Sequence, residues 1–225
     1  MTIRLALFDL DHTLLDGDSD VLWCEFLIDR GVLDRAEFGA RNAQMERDYR
    51  AGSASAQAFC EFYVSTLAGR TRLEWEPLRS EFLSGVIAPR IGSAAQALVR
   101  THEDAGDLLL LTTATNRFLT EPTAIHLGIE HVIATECEVD AAGRFTGATS
   151  GTLNMRAGKV ERLHAWLLSR GIEWHDCEAT FYSDSINDLP LLSAVQHAVV
   201  VNPDAPLAAL AVQRGWPALR LARPR

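Results

Sequence analysis

Lysine is nearly absent from this sequence of 225 residues. Of its 21 basic residues, 20 are arginine and only one, Lys159, is lysine. An arginine cannot replace a lysine where a site needs a compact ammonium charge on a flexible stem, because the guanidinium is larger and planar. The one position that keeps lysine is therefore a candidate functional residue, before any of its neighbours is considered.

Three further absences argue against broad classes of protein. No apolar run approaches the length that spans a membrane, and carboxylates interrupt the first apolar run before it can form a secretory leader. The net charge of −9 argues against a nucleic-acid partner, which would need a basic face. Four cysteines without CxxC spacing argue against a disulfide framework. We expect a cytoplasmic protein, monomeric or homodimeric, with neither a nucleic-acid nor a membrane partner.

Short apolar runs alternate with amphipathic stretches over most of the chain. The apolar runs predict strands at 3–10, 107–114, 130–136, 178–185, 197–202 and 217–221. Helical patterns lie between them, at 93–106, 117–128, 157–171, 186–195 and 205–215. This alternation predicts an α/β fold with a Rossmann-like, doubly wound parallel sheet covered on both faces. The segment 136–151 breaks the pattern and predicts a small hairpin at the sheet edge.

Residues 17–90 do not alternate in this way. They contain four consecutive amphipathic patterns separated by polar breaks, which predict four helices in succession. We therefore predict a core formed by residues 1–16 and 91–225. An all-helical cap, residues 17–90, is inserted after the first strand.

Polar residues follow the predicted strands at the ends where an open parallel sheet binds its ligands. They are Asp9 and Asp11 after the first strand, Thr112 and Thr113 at the end of the second, and Asp184, Asn187 and Asp188 after the fourth. Lys159 begins the helix before the fourth strand, from where its side chain can reach the same edge. Each piece alone is a common helix cap or turn, but chance rarely places all of them in this order.

Four stretches resemble the motifs of the haloacid dehalogenase superfamily of phosphohydrolases, over essentially the whole chain. They are "FDLDHT", "LLLLTTAT", "AGKVERL" and "YSDSINDLPLL". The last two are most similar to the phosphoserine-phosphatase-like branch, which acts on small phosphomonoesters, some of them amino-bearing. The choice of Thr113 over Thr112 rests on the family pattern of the second motif, where that branch usually has serine instead of threonine. The resemblance implies a phosphatase with a helical cap.

The crowding of acidic residues near the first strand supports the same chemistry. Five aspartates lie between positions 9 and 20, and each carboxylate makes its neighbours harder to ionise. A carboxylate nucleophile divides a slow phosphate-ester hydrolysis into the formation and hydrolysis of an aspartyl-phosphate. A divalent cation must then screen the carboxylates from the phosphate. Mg²⁺, which prefers oxygen ligands, is the predicted cofactor, since the seven histidines lack metal-ligand spacing.

Three aspartates are predicted to carry out the main steps of catalysis and to bind the metal. We predict that Asp9 attacks the phosphorus and also binds Mg²⁺, with Asp184 as the second carboxylate ligand. Asp11 is the predicted general acid for the leaving alkoxide and then the base for the attacking water. The resemblance implies that the backbone carbonyl of Asp11 is a further metal ligand.

Four other residues complete the predicted site. Thr113 and Lys159 are predicted to bind the transferring phosphoryl group, with Lys159 offsetting the charge of the carboxylates. Asp188 is predicted to orient either a metal-bound water or Lys159. Asn187 can donate a hydrogen bond to phosphate.

Asp18 allows two interpretations. It lies nine residues after Asp9. In the phosphoserine-phosphatase-like branch, which this chain resembles, that position holds an acidic residue that faces the substrate's amino group. Asp18 is equally well placed to cap the first helix of the insert. A substrate carboxylate would need a partner such as Arg41, Arg47 or Arg50. The sequence leaves both interpretations open.

Several other classes of protein use carboxylates in a similar arrangement. A phosphotransferase or phosphomutase stays open, because the same aspartyl-phosphate can pass to an alcohol instead of water. A non-enzymatic phospho-acceptor of the receiver type is disfavoured, since receivers are about half this length. A dehalogenase would not need Asp11, and a phosphonatase would need a lysine in its cap, where 17–90 has none.

Overall fold

A computed structural model describes residues 2–50 and 53–223, without the side chain of Arg50. Within these residues one seven-stranded sheet has the order β4-β3-β2-β1-β5-β6-β7. Its strands are β1 (Ile3–Phe8), β2 (Leu108–Asn116), β3 (His131–Val139), β4 (Phe145–Ser150), β5 (Cys177–Ser183), β6 (His197–Val201) and β7 (Ala218–Leu219). All neighbours are parallel except β3 and β4. The predicted α/β class and the edge hairpin are confirmed.

The described residues also form nine α-helices. They are α1 (Ser19–Asp29), α2 (Arg35–Arg50), α3 (Ala56–Ser65), α4 (Arg72–Phe82), α5 (Ser93–Asp104), α6 (Arg117–His126), α7 (Ala157–Leu168), α8 (Leu189–Ala194) and α9 (Ala205–Arg214). No single helix among residues 2–50 and 53–223 is long and apolar enough to cross a bilayer. One bent pair, 72–90 with 93–104, passes the same length and hydropathy test only when joined across a 93° bend.

The central strand β1 is buried on both faces, as its unbroken apolar run predicts. Ala6 and Phe8 belong to one apolar cluster, together with residues of α5 and α6. Leu5 and Leu7 point to the other face and pack with residues of α7, α8 and α9. This two-residue alternation is that of a strand with helices on both sides. The sheet is therefore doubly wound, as expected.

The four helices α1–α4 follow β1 directly, as the four amphipathic patterns predict. Helix α1 packs in two directions: Trp23 lies in the apolar cluster that includes Phe8, whereas Cys24 lies in a separate cluster with Phe59 and Tyr63 of α3. The separate cluster gives these helices an apolar centre of their own. We keep the division into a core and an inserted helical cap as a proposal.

Several element boundaries differ from the sequence prediction, and two of them lie at the carboxyl ends of β2 and β5. Strand β2 continues to Asn116, with a register irregularity between Thr113 and Asn116. The predicted helix 186–195 begins with a 3₁₀ turn, Ile186–Asp188, and α8 follows with Pro190 in its first turn, where proline needs no amide hydrogen.

Candidate active site

One cavity of about 610 Å³ lies at the carboxyl ends of β1, β2 and β5. Because β1 lies between β2 and β5, the residues that follow these strands share one edge of the sheet. All eight residues predicted for the site line this cavity: Asp9, Asp11, Asp18, Thr113, Lys159, Asp184, Asn187 and Asp188. The roles assigned to them stay predictions, but their convergence is a property of the fold.

Lys159 lies between two carboxylates. Its Nζ is 2.7 Å from Oδ1 of Asp9 and 2.8 Å from Oδ2 of Asp188, and the residue is 2% exposed. Burial alone would lower the pKa of Lys159, but the charges of Asp188 and Asp9 raise it above its ordinary value. Ser183 Oγ also donates to Oδ2 of Asp188, at 2.7 Å. The single lysine is thus a buried, permanently charged ammonium group.

The start of α7 fixes the position of Lys159. Arg156 precedes the helix with a φ of 54°, in the left-handed region that is unusual for a residue with a side chain. A Cβ atom on Gly158 would lie 2.1 Å from the carbonyl oxygen of Leu153, so only glycine fits there. The "AGK" segment is therefore constrained by close backbone packing as well as by the lysine itself.

Asp9 and Asp184 approach one another around a single hydroxyl. Oγ1 of Thr13 is 3.2 Å from Oδ2 of Asp9 and 3.2 Å from Oδ1 of Asp184. Burial raises the pKa of Asp9 to about 7, against the opposing charge of Lys159. Burial, followed by repulsion from Asp9, likewise raises the pKa of Asp184 well above its usual value. Since both carboxylates are costly to ionise here, a cation bound between them would be strongly favoured.

Mg²⁺ fits this pair of carboxylates. Among residues 2–50 and 53–223, no three His, Cys, Asp or Glu side chains form a group that could hold a metal. Mg²⁺ needs fewer protein ligands, because it usually keeps several waters and binds through one or two carboxylates and a substrate phosphate. The side chain of Asp11 does not join Asp9 and Asp184. A contact between Asp11 and the ion would therefore have to use the backbone carbonyl, as the family resemblance implies.

The carboxylate of Asp11 is held chiefly by two residues, Ser19 and Thr115, that the sequence did not single out. Oδ1 accepts from the backbone N of Ser19 at 2.7 Å and from its Oγ at 2.6 Å. Oδ2 accepts from Oγ1 of Thr115 at 2.7 Å and, more distantly, from Thr113 at 3.3 Å. Thr115 lies in the part of β2 beyond the predicted end of the strand, which is why it was missed.

Asp18 is the N-cap residue of α1. Its Oδ1 accepts hydrogen bonds from the backbone N of Asp20 and of Val21, both at 3.0 Å. Burial, followed by repulsion from Asp11, raises the pKa of Asp18 to about 8. The structure therefore shows the capping role. Because the side chain also lines the cavity, contact with a substrate amine stays a prediction.

Asn187 connects three parts of the molecule. Its Nδ2 donates to the hydroxyl of Tyr49 in α2 at 3.1 Å, and its Oδ1 accepts from Nε of Arg156 at 3.2 Å. One amide hydrogen is thus used by α2, and a hydrogen bond to phosphate would have to use the other. The ring of Tyr49 packs on that of Phe59, with centroids 4.1 Å apart, and both line the cavity. No pattern in the sequence marks Tyr49 as a cavity residue.

The arginines predicted for a substrate carboxylate lie elsewhere. Arg41 stacks over Phe38 and Phe62, and Arg47 donates to Gln44 at 2.7 Å. Neither arginine is among the described residues that line the cavity, and the side chain of the third candidate, Arg50, lies outside the described part of the chain. Helix α2 instead presents an acid, Glu46, to the cavity.

Comparisons with known proteins agree with the motifs. The sequence model of the haloacid dehalogenase-like hydrolase family matches residues 6–193. A histidinol-phosphatase of Neisseria meningitidis is 42% identical over 217 residues, which are 96% of this chain and 98% of that protein. A phosphoserine phosphatase of Mycobacterium tuberculosis is 34% identical over 221 residues, covering 94% of this chain and 68% of that protein.

Solved structures share the fold. A Bordetella pertussis protein of unknown function superposes with a TM-score of 0.92 at 43% identity, over 97% of this chain and 99% of that one. A phosphoserine phosphatase, solved as an analogue of its phospho-aspartyl intermediate, superposes with a TM-score of 0.69 at 16% identity, over 99% of this chain and 95% of that one. At that identity the likeness concerns the fold alone. From the family match over most of its length, and from its relatives, this chain belongs to the haloacid dehalogenase-like hydrolase family.

Proposed function

We propose that this protein is a magnesium-dependent phosphatase that hydrolyses a small phosphomonoester through a phosphorylated Asp9. The observation that carries the proposal is the buried contact of Lys159 with Asp9 and Asp188, at 2.7 and 2.8 Å. It places a fixed positive charge beside the carboxylate that is to meet a phosphate dianion. The family membership and the phosphatase names of the two relatives support the same reaction.

The reaction proceeds in two steps. In the first, an oxygen of Asp9 bonds to phosphorus while the P–O bond to the substrate's alcohol breaks, and Asp11 gives its proton to the departing alkoxide. In the second, Asp11 takes a proton from a water that attacks the acyl phosphate, which releases inorganic phosphate and restores Asp9. Lys159 stabilises the charge on the transferring phosphoryl group. The Thr113 hydroxyl donates a hydrogen bond to the same group after it turns away from Asp11.

The metal site uses the same end of the sheet. The carboxylates of Asp9 and Asp184 and the backbone carbonyl of Asp11 would hold Mg²⁺. The ion, when bound, polarises the phosphoryl oxygens and offsets the repulsion between carboxylate and phosphate. Asp188 acts as a positioning residue for Lys159, one of the two roles left open by the sequence. Its contact with the ammonium at 2.8 Å supports this choice.

The substrate we propose carries an amine and no carboxylate, as histidinol phosphate does. Away from the nucleophile the cavity is lined by the acids Asp18 and Glu46. Besides His12, the basic residues among the described lining are Lys159, which contacts Asp9, and Arg223, which pairs with Asp16. This lining suits a cationic group better than the carboxylate of phosphoserine. The relative that is 42% identical is named a histidinol-phosphatase, which supports this choice.

The setting we infer is cytoplasmic. All four cysteines are free, and three of them, Cys24, Cys60 and Cys177, are buried. Free thiols are usual where the environment is reducing. The partner is a small phosphorylated metabolite, and the enzyme acts as a monomer or homodimer.

Phosphate release by the purified protein with Mg²⁺ tests the proposal. Histidinol phosphate, phosphoserine and glucose 6-phosphate would be compared, and we expect the highest kcat/KM for histidinol phosphate. Asp9→Asn should reduce activity below detection, because an amide is neither a nucleophile nor a good Mg²⁺ ligand, and EDTA should do the same. Asp29→Asn, at an exposed position of α1, is the control. Consumption of substrate without release of inorganic phosphate would instead indicate a phosphotransferase.

A further inference from the structure

Asp11 is held from two different parts of the molecule. Ser19 is the first residue of α1, whereas Thr115 is near the end of β2. Each is 2% exposed, so water does not compete for their hydrogen bonds to Asp11. Together they donate to both carboxylate oxygens at 2.6–2.7 Å. Donors on both oxygens fix the plane of the carboxylate as well as its position.

We propose that Ser19 and Thr115 are positioning residues, which hold Asp11 at the place where it protonates the leaving oxygen. The inference rests on the proposed function, in which Asp11 is the general acid. A general acid contributes only when it lies within hydrogen-bond reach of the atom it protonates, in the right orientation. Without the two hydroxyls, only the backbone N of Ser19 and the more distant Thr113 hydroxyl would hold the carboxylate of Asp11, and productive orientations would be rarer.

Both hydroxyls donate to Asp11, and they also lie next to each other. Oγ of Ser19 is 3.1 Å from Oγ1 of Thr115, so the carboxylate and the two hydroxyls form one compact cluster. A methyl group in place of either hydroxyl would remove one of the donors that fix the orientation of the carboxylate.

The hydroxyls are not needed to attach α1 to the sheet. Next to them, Nδ2 of Asn116 donates to Oδ1 of the buried Asp20 at 3.0 Å, which links the same helix to the same strand. Trp23 of α1 also packs against Phe118, with ring centroids 6.2 Å apart. The Thr115 hydroxyl also interacts with Asp20, but the Asn116 bond and the Trp23 contact do not depend on it, so its removal should leave the fold intact.

The choice of leaving group provides a specific test. An alkoxide is a poor leaving group and needs a proton from the acid, whereas p-nitrophenolate leaves without one. The test measures kcat/KM for an alkyl phosphate, the better of histidinol phosphate and phosphoserine, and for p-nitrophenyl phosphate on the same preparation. The ratio of the two values does not depend on the fraction of active protein. Thr115→Val, Thr115→Ser and Ser19→Ala are compared with wild type, and Asp11→Asn is the reference for loss of the acid.

We expect Thr115→Val and Ser19→Ala to lower the alkyl-to-aryl ratio by about 10- to 100-fold, part of the effect of general acid catalysis. Thr115→Ser, which keeps the hydroxyl, should restore the ratio. Thr123→Val removes a buried hydroxyl that donates to the backbone of α6, and should leave the ratio unchanged.

The outcomes separate the two proposals. If Asp11→Asn lowers the ratio and Thr115→Val and Ser19→Ala do not, the positioning role is wrong and the acid role stands. Equal losses with both substrates in Thr115→Val would show a purely structural role and would also overturn the inference. If Asp11→Asn itself leaves the ratio unchanged, the proposed function fails at the acid step.

Discussion

The core and the helices α1–α4 reach the same cavity by different structural routes. In the core, Asp9 and Asp184 follow neighbouring parallel strands, so the topology of the sheet alone brings them together. In the helical segment, Glu46 and Tyr49 reach the cavity because one face of α2 is turned towards the core. A position at a strand end can be read from the sequence, whereas the direction of a helix face depends on packing that no local pattern reveals.

The two sides also differ in charge balance. On the core side, the carboxylates of Asp9 and Asp188 share the buried ammonium of Lys159. On the helix side, Asp18 is an N-cap residue whose pKa is raised by burial and by Asp11, and Glu46 adds a second carboxyl group to the lining. The core side is therefore arranged for an anion with a metal ion, and the helix side for a cation. Each of the following changes tests one half of this comparison.

The largest effect is expected from Lys159→Arg. The ammonium fits between two carboxylates at a position that is 2% exposed, and a planar guanidinium is too large for that space. We expect kcat to fall by about 100-fold or more, similar to the loss of a preorganised donor to a developing charge. Steady-state kinetics with saturating Mg²⁺ measures the loss.

Arg35→Lys is the matched control for this exchange. Arg35 lies on the exposed surface of α2, where it pairs with Asp29. Exposed ion pairs contribute little, so this variant should keep nearly full activity and stability. Near-wild-type turnover in Lys159→Arg would mean that any positive charge suffices, and that the near-absence of lysine from the sequence has no functional cause.

The sequence predicted the fold class and the residues at the strand ends because both follow from patterns with a fixed period. It did not predict Thr115, since the register irregularity after Thr113 extends β2 beyond its apolar run. Nor did it predict Ser19 or Tyr49, whose partners Asp11 and Asn187 lie on other elements. Contacts between elements depend on how helices pack, and one sequence contains no direct record of that packing.

A smaller effect should separate the two interpretations of Asp18. If its carboxylate pairs with a substrate ammonium, Asp18→Asn should lower kcat/KM for an amino-bearing substrate more than for the deaminated analogue. A hydrogen bond to a charged group contributes about 1.5–3 kcal/mol, roughly 10- to 100-fold. The measurement compares histidinol phosphate with its deaminated analogue at pH 8.5, above the pKa of about 8 for Asp18. Equal losses would assign Asp18 to the helix cap alone.

The smallest effect concerns the pH dependence of stability in the metal-free protein. The pKa of Asp18 is about 8 in the folded protein and near its usual value of 3.8 when unfolded. Between these values the folded protein holds a proton that the unfolded chain has released. For this group, the stability present below pH 4 is therefore lost as the pH rises towards 8. Asparagine caps a helix as well as aspartate does, and it carries no charge.

We therefore expect Asp18→Asn to match wild type near pH 4 and to become more stable than wild type as the pH rises. The difference in the free energy of unfolding should grow by at least about 1 kcal/mol between pH 4 and pH 8.5, since one pKa unit corresponds to about 1.4 kcal/mol. Urea denaturation in EDTA measures it, with Asp29→Asn, an exposed aspartate of the same helix, as the control. Parallel curves for wild type and Asp18→Asn would show that ionising Asp18 costs the folded protein no stability, and that burial does not raise the pKa of this carboxyl group.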